Sequence, residues 1–239
     1  MTGPPFTYRT VSHTEGYVNT VQNGDPVWYA VGMQRERLGR QARKDLTRQL
    51  LIDAAAAVFA RRGFDAASLD EIAEAAGFTK GAVYSNFRSK TDLMLALIER
   101  RVGEQAAAIA SALAGLTLEQ ALRRLESGPD PESPSDQDWL QVVAAFWQYA
   151  MRDERARTAL AQAYERARAI SARLIAEKYA DAGAQPPMPA RDLAILVEAI
   201  GIGVGFQAAL DPGAVRVTLQ GEATRRLLEP VREPDAATS

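Results

Sequence analysis

Thr79, Lys80, Gly81, Ala82, Tyr84, Ser85 and Asn86 place hydroxyls, an ammonium, an amide and two very small side chains within eight consecutive positions. Val83, and Phe87 four residues later, are the apolar exceptions. A helix through this stretch turns those two inward and leaves the others facing away from the core. The outward groups form hydrogen bonds and let a partner approach closely, which is the chemistry of recognition rather than of bond making.

Two short helices and a turn are needed to hold that face. Ser68 and Glu71 are spaced as a capping box, which starts a helix carrying Leu69, Ile72, Ala73 and Ala76 on one face. Gly77 ends it, because glycine takes the left-handed turn conformation at low cost. Ala73 is small where the second helix crosses, and Val83 plugs the angle between the two. This spacing predicts a DNA-reading helix-turn-helix. A three-helix cluster whose pattern is only core leaves the small, polar outward face unexplained.

The stretch from Thr79 to Leu93, Thr-Lys-Gly-Ala-Val-Tyr-Ser-Asn-Phe-Arg-Ser-Lys-Thr-Asp-Leu, resembles the segment by which TetR-type transcriptional regulators are recognised. Leu51 to Phe64, with its Arg-Arg-Gly-Phe end, is similar to that family's first helix, and the likeness extends from Thr47 to Arg101. The resemblance implies that Lys80, Gly81 and Ala82 approach base edges with Ser85 nearby. Lys80 would donate to guanine O6 or N7, and Ala82 would meet a thymine methyl. It also implies phosphate contacts from Tyr84, Asn86 and Lys90, with Ser68 and Thr79 adding hydroxyls and helix N-termini. At Ser85 the chain departs from many relatives, which carry an aromatic residue or a histidine there.

Composition sets the class. The formal net charge is −2, yet Met33 to Arg101 holds 13 basic and 9 acidic residues while Val102 to Ser239 holds 14 and 19. One end therefore seeks phosphate and the other does not. Arg35, Arg37, Arg40, Arg43, Lys44 and Arg48 concentrate the positive charge before and at the start of the first helix. Such a basic arm either lies along the DNA backbone or minor groove, or is a solvated lead-in. The absence of cysteine and the single histidine, His13, rule out disulfides, thiolate catalysis, a Ser-His-Asp triad and a multi-histidine metal site within one chain. No catalytic residue, metal or cofactor is expected, and the expected compartment is the cytoplasm, with nucleoid association when DNA is bound.

The expected fold is all-α, with about nine helices. Residues 1–32 read as a disordered leader, with Met33 a plausible true start; 33–46 form the basic arm and 47–101 the three-helix DNA-binding domain with its helix-turn-helix. Residues 102–229 form a helical effector and dimerisation domain, and 230–239 a polar, disordered tail. Ser89 caps a long fourth helix, Asp138 caps one from Trp139 to Arg152, and the last helix begins near Val215. Leu193 to Leu210 has Glu198 as its one charged residue, which approaches a membrane span in length. The carboxylate near its middle and the lack of a flanking basic cluster favour a helix buried between two subunits over a membrane span. Gly201, Gly203 and Gly205, with Val197, mark that helix as the expected dimer interface, a kink beside a pocket being the alternative. Trp139, Phe146, Trp147, Tyr164 and Phe206 are the candidate lining of a ligand cavity, whose effector would be apolar or aromatic. The expected partners are duplex DNA as a palindromic operator, a second copy of the chain and that effector, with no membrane. The expected activity is ligand-responsive repression. A ligand-independent architectural DNA-binding protein is the alternative, and an enzyme fused to a DNA-binding domain a more remote one.

Overall fold

The computed structural model of the chain describes residues 39–127, 137–211, 213–216 and 218–230. Among the described residues there are nine helices and no strand. In chain order they are α1 (Arg40–Ala66), α2 (Leu69–Ala75), α3 (Lys80–Asn86), α4 (Lys90–Leu113), α5 (Leu118–Glu126), α6 (Gln137–Ala150), α7 (Glu154–Asp181), α8 (Ala190–Leu210) and α9 (Leu219–Leu227). The all-α expectation holds. Two units divide the chain between Leu51 and Ile52. The leader 1–32 with His13, together with Arg35, Arg37 and the tail beyond Pro230, lies outside the described residues.

Side-chain caps explain where most helices begin. Ser68 and Glu71 bond each other's backbone amides across 3.1 Å at the start of α2, and Thr117 and Gln120 do the same before α5. Thr79, Ser89 and Asp153 accept single amide bonds at the starts of α3, α4 and α7. Each cap contributes about 1 kcal/mol. Three boundaries differ from expectation. Helix α1 starts at Arg40, so residues 40–46 of the expected basic arm are the first turns of that helix. Helix α6 starts at Gln137, which puts Asp138 inside it rather than at its cap. The last helix starts at Leu219, four residues late, because the Asp211 carboxylate captures the amides of Gly213 and Ala214 in a turn.

Two glycines carry the turns around the first helices. Gly77 has φ 65°, and the amides of Gly77 and Phe78 bond the carbonyls of Glu74 and Ala73, which closes α2 with a Schellman turn. Gly63, at φ 73° and ψ 166°, interrupts the ladder of α1 one residue before Phe64, whose ring is buried.

Beyond α3, α4 packs along α7 and α7 along α8, while α6 lies on both α7 and α8, and α9 on α5 and α8. Leu122, Leu193 and Leu228 form a core cluster to which Val197 and Ile175 add. Gly221 lets α9 approach the end of α5, since a Cβ there would collide with the Leu125 and Glu126 carbonyls. The Tyr179 hydroxyl donates to the Leu228 carbonyl. Helix α8 is long and apolar enough to cross a membrane, and only 11% of its most apolar window is buried. Yet Glu198 near its midpoint pairs with Arg168 of α7 at 2.7 Å, an arrangement suited to a protein groove and costly in lipid.

Candidate nucleic-acid interface

Helix α3 buries Val83 and, at its C-cap, Phe87, and it exposes Lys80, Gly81, Tyr84 and Ser85. Tyr84 is 56% exposed, the largest outward aromatic surface of the reading helices. Ala82 and Asn86 are half-buried. The sequence pattern therefore translates into a helix seated on one apolar edge, with a rim of polar and small residues facing solvent.

Several of those polar groups already hold partners. The Ser68 hydroxyl accepts the Glu71 amide, and that of Thr79 accepts the Ala82 amide, so both serve the helix starts. The Ser85 hydroxyl and the Asn86 amide both donate to the Ala82 carbonyl, at 2.9 and 2.8 Å. Lys80 Nζ lies 2.5 Å from Asp70 Oδ2, which joins the first turn of α2 to the first residue of α3. Hydrogen bonding to Asp70 raises the Lys80 pKa above its ordinary value. Asp70 carried no sequence signal of this role, since the pair depends on the angle between the helices.

Lys90 turns inward rather than toward the rim. Its ammonium donates to the carbonyls of Asp65 and Ala67 at 2.8 and 3.0 Å and sits 4.7 Å above the Phe64 ring. Desolvation lowers its pKa below the ordinary lysine value, opposed by the nearby Asp65 carboxylate. Arg43 and Lys44 are exposed on the first half of α1, where Arg48 is half-buried.

The effector-side candidates separate into four places. Trp147 of α6 meets Tyr164 of α7 edge-on at 5.9 Å, and the Arg168 guanidinium, held by two bonds to Glu198, lies 5.7 Å from the centre of the Tyr164 ring. Burial raises the Tyr164 pKa, with the Trp147 N–H opposing. That indole nitrogen is buried without a geometric hydrogen-bond partner among the described residues. Phe146, fully buried, goes elsewhere. It packs on Phe64 at 5.0 Å and on Tyr149, whose hydroxyl accepts from Thr91 at 3.3 Å, so it belongs to the joint between the end of α1, the start of α4 and α6. Trp139 lies under Arg101 at 5.6 Å, and Phe206 is half-buried on α8. Arg168 was the residue missed: Glu198 stood out as a lone charge, but its partner is 30 positions away in the chain.

On α8 the glycines divide by helical phase. Gly201 and Gly205, one turn apart, face Gln220 and Leu140 of the same chain, where a Cβ would come within 3.1 Å of each. Gly203, on the opposite side, has nothing within 4 Å of its Cβ position. Val197 packs into the chain's own core cluster.

Residues 51–97 match the family of bacterial regulatory proteins named for tetR, and residues 118–232 match the C-terminal domain of BetI-type transcriptional repressors. The HTH-type transcriptional activator FasR of Mycolicibacterium smegmatis is 40% identical over 77 residues, 32% of this chain and 35% of its own. The chain thus spans about a third of the length of that relative. A transcriptional regulator from Saccharomonospora viridis, solved in complex with choline, superposes with a TM-score of 0.59 at 22% identity, over 76% of this chain and 95% of that one. Another from Pseudomonas aeruginosa PAO1 gives 0.62 at 21%, over 82% and 93%. These two show the fold. With the helix-turn-helix and the helical domain each matched in sequence, this chain belongs to the TetR family of bacterial transcriptional regulators.

Proposed function

We propose that the chain acts in the cytoplasm as a dimeric, ligand-responsive repressor that reads a palindromic DNA operator through paired α3 helices. The observation that carries this reading is the exposed rim of Lys80, Gly81, Tyr84 and Ser85 on a helix locked from behind by Val83 and Phe87. Lys80, Gly81 and Ala82 meet base edges, while Tyr84, the first turns of α2 and α3, and Arg43, Lys44 and Arg48 serve the phosphates. Lys90 contributes by fixing the head rather than by touching DNA, given its two carbonyl partners.

The second copy docks on the open side of α8. Leu196, Gly203 and Leu210 recur at helical spacing there, with Leu210 86% exposed, and Leu219 of α9 adds to exposed apolar surface that a partner would cover. The effector enters near Trp147 and Tyr164, with Phe206 of α8 a further candidate, and is a small molecule with an apolar or aromatic body. Its route to DNA is the aromatic joint of Phe64, Phe146 and Tyr149, which ties α6 to the end of α1. A ligand acts only through its different affinity for the bound and released forms.

Enrichment of duplexes from a random pool tests the reading. A palindromic consensus, weakened as a whole by Tyr84→Phe and relaxed at defined base positions by Lys80→Ala, supports it. Recovery of no consensus overturns it. Choline, held by one fold relative, is a first compound to add to the binding reaction.

A further inference from the structure

Lys80 begins the helix proposed to read DNA, yet its ammonium lies 2.5 Å from the carboxylate of Asp70. The side chains are 68% and 47% exposed, and a pair so open to water adds little to the stability of a fold. Its consequence lies on the surface that α3 presents. A lysine neutralised within the protein brings no net positive charge to DNA. Exchanging the carboxylate for a phosphate replaces one anion by another and leaves Asp70 unpaired beside a polyanion. A guanine edge with the surrounding contacts of a fitting site offsets that loss, whereas a phosphate alone does not.

We infer that Asp70 sets the charge that the reading head presents to DNA: by holding Lys80 in an internal ion pair, it keeps that lysine off the phosphates of arbitrary sequence and takes back part of what Lys80 contributes in the operator. This rests on the DNA-reading function proposed above. The charge of Asp70 and that of Lys80 cancel in the free protein, so the pair releases no counterion when random DNA binds. Removing the carboxylate frees the lysine to do so.

The test uses the full chain as wild type, Asp70→Asn, Lys80→Met and the double variant. Two probes of about 30 base pairs are compared, long enough for half-sites one turn apart: a random-sequence duplex and the duplex that wild type enriches from a random pool. Asp70→Asn should bind the random duplex more tightly, with a salt slope steeper by about 0.9 for each reading head. For a four-fold drop in salt, that multiplies the gain by about 3.5 for one head and about 12 for two. The enriched duplex should gain at least as much, because there the whole cost of breaking the pair is removed, and the double variant should return to the wild-type slope on the random duplex. Asp70→Ser repeats the measurement if circular dichroism shows that the Asn variant loses helix. An unchanged slope overturns the inference. So does a loss of affinity confined to the enriched duplex, which would make Asp70 a direct base contact accepting from cytosine N4. If wild type binds neither probe, the DNA-reading function fails first, and the two failures are distinct.

Discussion

Replacing Lys90 by methionine separates two roles that a lysine at the start of α4 could play. The stem stays over Phe64 while the ammonium, with its bonds of 2.8 and 3.0 Å to the Asp65 and Ala67 carbonyls, is lost. Bonds to a charged donor contribute about 1.5 kcal/mol each at the low end, together about 3. Desolvation of the ammonium, visible in its lowered pKa, takes back part of this, and water reaches the vacated carbonyls. A net loss of about 1–2 kcal/mol remains. For a protein of this size, 1 kcal/mol moves Tm by about 2–4 °C, so Lys90→Met should melt about 3–6 °C below wild type. Thermal unfolding by circular dichroism reads this directly, and titrations against random duplex at several salt concentrations give the companion measurement. The salt slope should stay at the wild-type value. A wild-type Tm joined to a slope flattened by about 0.9 per head would show that Lys90 spends its charge on phosphate, against the inward pairing with Asp65 and Ala67.

Gly77→Ala forces a Cβ into a backbone at φ 65° and should cost about 1–2 kcal/mol, read in urea unfolding, with DNA affinity falling as α3 loses its angle. Phe146→Ala empties a fully buried site against Phe64 and should cost about 3–5 kcal/mol by the same measurement. Two glycines should respond oppositely: Gly221→Ala destabilises through collision with the Leu125 and Glu126 carbonyls, while Gly203→Ala gains up to about 1 kcal/mol of helix propensity. Gly203→Leu should fold and sediment as a monomer; a dimer at micromolar concentration would move the interface off the open side of α8.

Local chemistry was legible in the chain. Ser68 with Glu71, Gly77, Ser89 and the Val83–Phe87 spacing each act within a few residues, and the structure holds them as capping box, left-handed turn, cap and buried edge. What could not be read depends on how elements meet. Lys80 finds Asp70 because α2 and α3 cross, and Lys90 reaches back 25 residues to the end of α1. Arg168 meets Glu198 across two helices, so the one charge of Leu193 to Leu210 is paired. Phe146 looked like its neighbour Trp147 in a helical stripe, yet one position of helical phase sends it to Phe64 instead of Tyr164. The same phase effect divides Gly203 from Gly201 and Gly205. The start of α1 at Arg40 was hidden because charged side chains suit an exposed helix as well as an arm.

Hydroxyl-radical footprinting of the wild-type chain on its enriched duplex, with the stoichiometry of the complex measured by sedimentation, tests the central claim most directly. Two chains per duplex should protect two symmetric half-sites whose centres lie about 34–36 Å apart, one turn of DNA. The protection should weaken throughout with Tyr84→Phe. A single asymmetric footprint from one chain, or uniform protection without boundaries, would contradict a paired α3 reading head.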